Sequence, residues 1–210
     1  MTSSKQPRLG RPPASNSADT QERILAVARQ SFAERGYEGT TNRLLAERAG
    51  ITTGAIYHYF DSKREIYLAV DRDVGRRVFR RFREAEAGAD TFVAKFEAIL
   101  EVAHQMNSED PSLARFLGAV RVDLQRHTEL SEVMGVDGRL RDNAFLAAMV
   151  DHGIATGEVA PAQRELVLAF VRTVLIGLTD AVSDDLVAQR AAIDAIGALL
   201  EGSLIHPAAN

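Results

Sequence analysis

Residues 40–63 carry the residue types and spacings that could do chemistry here, and the chemistry is the reading of duplex DNA. Counting Asn42 as the first site of a twenty-residue helix-turn-helix places Ala46 fifth, where two helices cross too closely for a larger side chain. Gly50 then falls ninth, at the turn, where a residue beyond a helix end often needs positive φ. The sites that must be buried hold Leu45, Ala49, Ile51, Ile56 and Tyr59, all apolar or aromatic. A helix meant for the major groove needs small side chains where it enters, and Thr52, Thr53, Gly54 and Ala55 supply them. Their methyl groups can touch thymine C5-methyls, and the helix N-terminus adds amide donors for phosphate. Tyr57 and His58 project further along, and Lys63 at the next helix start can neutralise a phosphate.

In these residues the chain resembles the TetR family of bacterial transcriptional regulators. The likeness runs through Thr40 and Thr41, Ala46 and Gly50, Gly54 and Ala55, Tyr57 and Phe60, and the pair Ser62 and Lys63, within residues 19–68. Leu44 departs from it, standing where members usually carry a polar residue. The resemblance implies backbone contacts for Tyr57 and Lys63 and a base contact for Arg43; Thr41 is a further candidate for the DNA-facing set. It also implies a C-terminal helical bundle that encloses a small-molecule pocket and dimerises through its last two long helices.

The recognition helix contains no Arg, Lys, Asn or Gln, so bidentate reading of guanine falls to Arg43. This directs attention to Arg8 and Arg11 in the Arg-Leu-Gly-Arg-Pro-Pro segment, 8–13. A Gly-Arg-Pro core is narrow, cationic and unable to form a helix, the shape of an arm that enters an A·T-rich minor groove. Six arginines, Arg72, Arg76, Arg77, Arg80, Arg81 and Arg83, crowd the segment after the motif. With acids such as Asp73 and Glu84 among them, they read as a solvated face rather than a DNA contact.

Local signals then lay out the elements that hold these residues. Residues 1–17 contain three of the six prolines and no helical periodicity, and are expected to be a flexible arm. Asp19-x-x-Glu22 resembles a capping box, Ile24, Leu25, Ala28 and Phe32 form one helical face, and Gly36 ends it. Thr41, Thr52 and Ser62 are the expected caps of the next three helices, the last running past Arg83 to just before Gly88. Further helices are expected over 91–106, 112–127, 129–153, 162–181 and 185–204, with loops at 107–111 and 156–161 and a possible interruption at 136–138. No stretch alternates as a strand would. The fold class expected is all-α: an arm (1–17), a three-helix helix-turn-helix domain (18–63), a connecting helix (64–88) and a ligand-binding and dimerisation bundle (89–210).

Charge supports that division. Residues 1–85 carry 16 Lys and Arg against 10 Asp and Glu, and residues 86–210 carry 9 against 19, so +6 and −10 make up the net −4. A basic head beside an acidic body suits a protein that meets DNA at one end. Residues 166–178 are apolar nearly all round, and Ala188, Ala191, Ala192, Ala195, Ile196 and Leu199 form a small-residue stripe suited to a close-packed homodimer. Phe92, Phe96, Ile99, His104, Phe116, Val120, Asp123, Leu124, Phe145, Met149, Phe170 and Val174 are the candidate pocket residues, which together favour a mostly apolar effector. Arg121 and Asp123, inside an apolar stretch, are candidates to read a polar group on it.

Other function classes find little in the sequence. Zero cysteines exclude disulfides, thiolate metal sites and a cysteine nucleophile. The five histidines, His58, His104, His127, His152 and His206, show no metal-ligand spacing, and no phosphate loop or catalytic constellation is evident. No enzyme activity, cofactor or metal is therefore expected. No apolar run approaches the ~20 residues a membrane span needs, and nothing at the N-terminus resembles a signal peptide, so a cytoplasmic location is expected. The function expected is a homodimeric repressor bound to an inverted-repeat operator and released by a small effector. A DNA-binding architectural or cell-cycle protein without an effector is the alternative, and a helical enzyme or scaffold with a vestigial head is a third.

Overall fold

The computed structural model describes residues 15–204. They form nine α-helices, α1 (Ser15–Arg35), α2 (Asn42–Ala49), α3 (Thr53–Tyr59), α4 (Lys63–Glu86), α5 (Phe92–Glu109), α6 (Pro111–Arg126), α7 (Thr128–Ala155), α8 (Arg164–Asp180) and α9 (Leu186–Leu200), with a 3-10 turn at Pro161–Gln163. No strand occurs among the described residues. An all-α chain with an N-terminal helix-turn-helix followed by a larger helical body is the architecture observed.

Helix ends follow local chemistry closely. Thr41 Oγ1 accepts the Leu44 amide, Thr52 Oγ1 that of Ala55 and Ser62 Oγ that of Glu65, at 3.1–3.2 Å. Each cap satisfies an amide that has no partner inside its own helix. Glu65 turns back as in a capping box, but it accepts from Asp61 N–H at 2.6 Å. Gly50 takes φ 65° and ψ 36° beyond α2, and the Ile51 amide returns to the Ala46 carbonyl at 3.0 Å. Only glycine adopts this left-handed conformation without a steric cost.

Several expected boundaries move. α1 begins at Ser15, so residues 15–17 belong to a helix rather than an arm, and Asp19 and Glu22 lie inside the first turns. Nothing after Pro13 obstructs an added turn. α5 continues through residues 107–109, expected as loop, because the buried Asn107 amide donates to Ser183 O at 2.8 Å and to Gln189 Oε1 at 3.3 Å. Pro111 then occupies the first turn of α6, where its missing N–H costs nothing. α7 stays helical across 136–138. A glycine costs about 1 kcal/mol there, and buried Leu130, Met134, Leu146 and Met149 on the flanking turns outweigh it. α9 stops at Leu200, and Gly202 takes φ 70° in the turn that follows.

Packing joins the two ends of the chain more broadly than one connector would. α4 packs on α1, α5 and α7, while α1 also lies along α6. Ile24, Ala28 and Phe32 of α1 are fully buried in this junction, together with Ile66 and Tyr67 of α4 and Phe116 of α6. At the far end α7 crosses α5 at Gly153, where a Cβ would lie 2.8 Å from Phe92 Cβ and 3.0 Å from Val159 Cγ2. Gly153→Ala is therefore expected to destabilise the chain by about 1–3 kcal/mol through overpacking. Urea denaturation checks this, and an unchanged midpoint would show that the crossing has room for a methyl group.

Candidate nucleic-acid interface

The helix-turn-helix is built from the inside out. Leu45, Ala46, Ala49 and Ile56 are buried, and Ile51 and Tyr59 are half-buried against the same core. Outside this core, Thr41, Arg43, Thr52, Thr53, Gly54, Tyr57 and His58 are exposed and Ala55 is half-buried. Tyr57 and Tyr59, two residues apart, separate as a helix requires. Tyr57 is 54% exposed, while Tyr59 packs inward with the His58 ring edge-on at 5.2 Å. The exposed end of α3 thus presents two threonines and a glycine, with nothing bulky to hold its backbone away from a groove.

The cations differ in how they are held. Arg43 makes no hydrogen bond or ion pair among the described residues, and its side chain is exposed on the first turn of α2. Arg48 is tied to α1, donating to Ser31 Oγ at 3.0 Å and Glu34 Oε2 at 2.8 Å. Lys63 is half-buried, with its ammonium 2.7 Å from the Tyr37 carbonyl and 4.1 Å from the centre of the Tyr37 ring. An ammonium has three donors, so that bond leaves two for another acceptor. On α4, Arg76 and Arg77 share Asp73 at 3.2 and 2.8 Å, Arg80 lies 3.9 Å from Glu84, and Arg81 pairs with Glu109 at 3.2 Å. Four of the six arginines are thus paired with acids, as expected. Arg8 and Arg11 lie outside the described residues.

The family model for bacterial regulatory proteins of the tetR family matches residues 24–70, which span α1 to the first turns of α4. The repressor KstR2 of Rhodococcus jostii is 32% identical over 149 residues, 64% of this chain and 73% of that protein. The chain belongs to the TetR family. The repressor AcnR of Corynebacterium glutamicum is 33% identical over 135 residues, covering 64% of this chain and 58% of that one. Among solved structures, Salmonella enterica GusR superposes with a TM-score of 0.72 at 23% identity, covering 89% of this chain and 95% of that one. Bacillus subtilis FadR, solved with stearoyl-CoA, gives 0.70 at 22% identity over 88% and 99% of the two chains. The protein is a DNA-binding transcriptional regulator of this family.

The remainder of this TetR-family chain separates the candidate pocket residues into groups. Phe92 stacks on Phe96 at 6.2 Å, and Phe170 meets Phe96 edge-on at 6.0 Å. Ile99, Met149 and Val120 are buried, while Leu124 and Val174 are half-buried. Phe145 belongs with Phe79 and Phe82 of α4, at 5.5 and 6.2 Å. Phe116 sits instead in the junction with α1 and α4, 6.5 Å from Phe32 and 5.5 Å from Tyr67. His104 Nδ1 lies 2.9 Å from Gln189 Oε1, in a polar link between α5 and α9. Two surface concavities, about 560 Å³ along the α4 arginines and about 390 Å³ between α5 and α9, are not lined by these aromatic residues.

Arg121 and Asp123, the candidates to read a polar group on an effector, are held by different partners. Arg121 lies on Asp180, with Nε 2.9 Å from Oδ2. Asp123 is buried, and its Oδ2 accepts from the Tyr67 hydroxyl at 2.7 Å and the Tyr37 amide at 2.9 Å. Burial, reinforced by that bond to Asp123, raises the Tyr67 phenol far above its ordinary pKa. A second polar tie joins α1 to α6: buried Arg29 pairs with Asp110 and donates through Nε to Ser112 Oγ at 2.8 Å. Burial lowers the Arg29 pKa despite the opposing attraction of Asp110. Sequence reading missed Tyr37 and Arg29, because their partners lie 86 and 81 residues away.

α8 and α9 keep apolar surface open in the single chain. Leu166, Ile176, Val187 and Leu199 are 70%, 46%, 81% and 45% exposed, and half-buried Ala188, Ala192, Ala195 and Ile196 lie among them. No group of three His, Asp or Glu arranged to hold a metal occurs among the described residues, and no described helix is long and apolar enough to cross a membrane.

Proposed function

We propose that the chain is a homodimeric cytoplasmic repressor that binds an inverted-repeat operator and leaves it when a small, mostly apolar effector binds the C-terminal helices. In this reading residues 18–63 meet DNA, 64–88 connect, and 89–210 hold effector and partner subunit. The observation that carries it is the exposed Arg43 of α2, without an ion pair among the described residues, together with the exposed small residues that open α3, on a helix-turn-helix whose Leu45, Ala46, Ala49 and Ile56 are buried. Arg43 reads a base; Tyr57 and Lys63 hold phosphates; Thr41, Thr52, Thr53, Gly54, Ala55 and His58 complete the contact surface; Arg8 and Arg11 reach the minor groove. Support for repression comes from KstR2 and AcnR, both named repressors. Support for an apolar effector comes from the cluster of Phe92, Phe96 and Phe170, and from FadR, a fold relative solved with stearoyl-CoA. Such a ligand acts only through differential affinity, binding the released state more tightly than the DNA-bound one.

The test compares two variants on a duplex selected from a random pool by the wild-type protein. Arg43→Ala is expected to cost about 1–3 kcal/mol and to relax preference at one base pair per half-site. Lys63→Ala is expected to weaken all sequences alike and to flatten the salt dependence. Equal, sequence-independent losses in both would remove the distinction between reader and anchor.

A further inference from the structure

α6 carries one carboxylate on an otherwise apolar face. Phe116, Val120 and Asp123 follow one another at i, i+4 and i+7, and all three are buried. Taking a carboxylate out of water is costly unless donors replace the lost hydration. The donors here come from outside α6: the Tyr67 hydroxyl of α4 and the Tyr37 amide in the turn between α1 and α2. Gly36, at φ 67°, lets that turn close over the carboxylate, since a Cβ there would lie 3.2 Å from Asp123 Oδ1. Gly36 and Tyr37 are thus shaped around a group that belongs to the body of the protein.

Tyr37 passes this constraint on. Its carbonyl accepts the Lys63 ammonium and its ring lies beneath the same cation, at 2.7 and 4.1 Å. Lys63 opens α4, four residues after the end of the recognition helix α3. Two hydrogen bonds, from the Tyr37 amide to Asp123 and from Lys63 to the Tyr37 carbonyl, therefore link α6 to a cation on the DNA side. We infer that Asp123 is a positioning residue for DNA binding, holding the Gly36–Tyr37 turn so that Lys63 is presented to phosphate. The inference rests on the DNA-contacting role given to Lys63 above. The Tyr67 ring meets the Tyr37 ring edge-on at 5.1 Å, and its hydroxyl shares the carboxylate oxygen; Tyr67→Phe keeps the ring contact and removes only the hydroxyl bond, which is not on the route to Lys63.

The experiment uses the full chain and a duplex selected by the wild-type protein, with affinity measured over a range of salt concentrations. Asp123→Ala is expected to lower affinity about as much as Lys63→Ala, on the order of tenfold, and to reduce the salt slope by about one unit per Lys63. The double variant should be no weaker than Lys63→Ala alone, because both remove one contact. Asp123→Asn keeps an oxygen able to accept both bonds and should recover most of the affinity. Tyr67→Phe should lower thermal stability yet leave affinity within about twofold, an outcome that a merely structural role for Asp123 does not produce. If Asp123→Ala does not fold, Asp123→Glu, which keeps the charge but displaces the carboxylate by one methylene, must show the same loss of salt slope. Additive losses, or a wild-type salt slope in the Asp123 variant, overturn the positioning role. A Lys63→Ala variant with wild-type affinity overturns instead the contact on which it rests.

Discussion

Phe32→Ala is expected to lower the stability of the protein by about 3–5 kcal/mol, the usual cost of removing a fully buried aromatic side chain. Phe32 has no exposed surface, and its ring meets Tyr67 edge-on at 4.7 Å, with Tyr37 at 6.4 Å and Phe116 at 6.5 Å. These partners come from α4, the α1–α2 turn and α6, so the ring joins the DNA-binding head to the body. Truncation removes the transfer free energy of the ring and leaves a cavity among neighbours that are themselves rigid aromatics. For a chain of this length such a loss corresponds to a fall in melting temperature on the order of 10 °C. Circular dichroism during heating measures it, with Tyr57→Ala as the control. That exposed ring contributes little to folding, and its removal should stay within about 0.5 kcal/mol. A Phe32→Ala protein that melts like the control would show that the junction collapses to fill the space.

Ile176→Glu is expected to turn the protein into monomers and to lower operator affinity with it. Ile176 is 46% exposed on α8, the helix that also leaves Leu166 70% exposed, so a charge there is expected to leave one chain folded. In the homodimer proposed above, this apolar face is buried against the partner subunit, and the substitution puts one carboxylate from each subunit into it. An unpaired charge buried in such an interface costs about 3–5 kcal/mol. Since each 1.4 kcal/mol is about a factor of ten, dimer dissociation should increase by roughly a hundredfold or more. Analytical ultracentrifugation reports the state, and thermal melting confirms that the monomer remains folded. A dimer as tight as the wild type would place the interface away from this face of α8.

Both predictions concern contacts that sequence reading approached with unequal success. The apolar surfaces of α8 and α9 were legible because residues 166–178 are apolar nearly all round and Leu199 lies in the α9 small-residue stripe, and Leu166, Ile176 and Leu199 do remain open in the chain. The aromatic junction was not. Phe116 looked like any other aromatic in the C-terminal half, and only the packing of α6 along α1 separates it from Phe92 and Phe96.

By itself the sequence determined the local structure of the helix-turn-helix, though not the start of α1 or the end of α5. The caps at Thr41, Thr52 and Ser62, the left-handed glycine at Gly50 and the buried sites of the helix-turn-helix follow from interactions within about one or two helical turns. The family motif lies in the same stretch, so the DNA-binding class was readable as well. Tertiary structure alone decided which polar groups meet. Asp123 reads as a candidate pocket residue and Lys63 as a phosphate contact until α6 is laid against α1, when the Asp123 carboxylate accepts the Tyr37 amide and the Tyr37 carbonyl accepts the ammonium. Periodicity tells which side of a helix is buried. It does not tell against what, because the partner of a buried charge is chosen by helices that meet across more than eighty residues of chain.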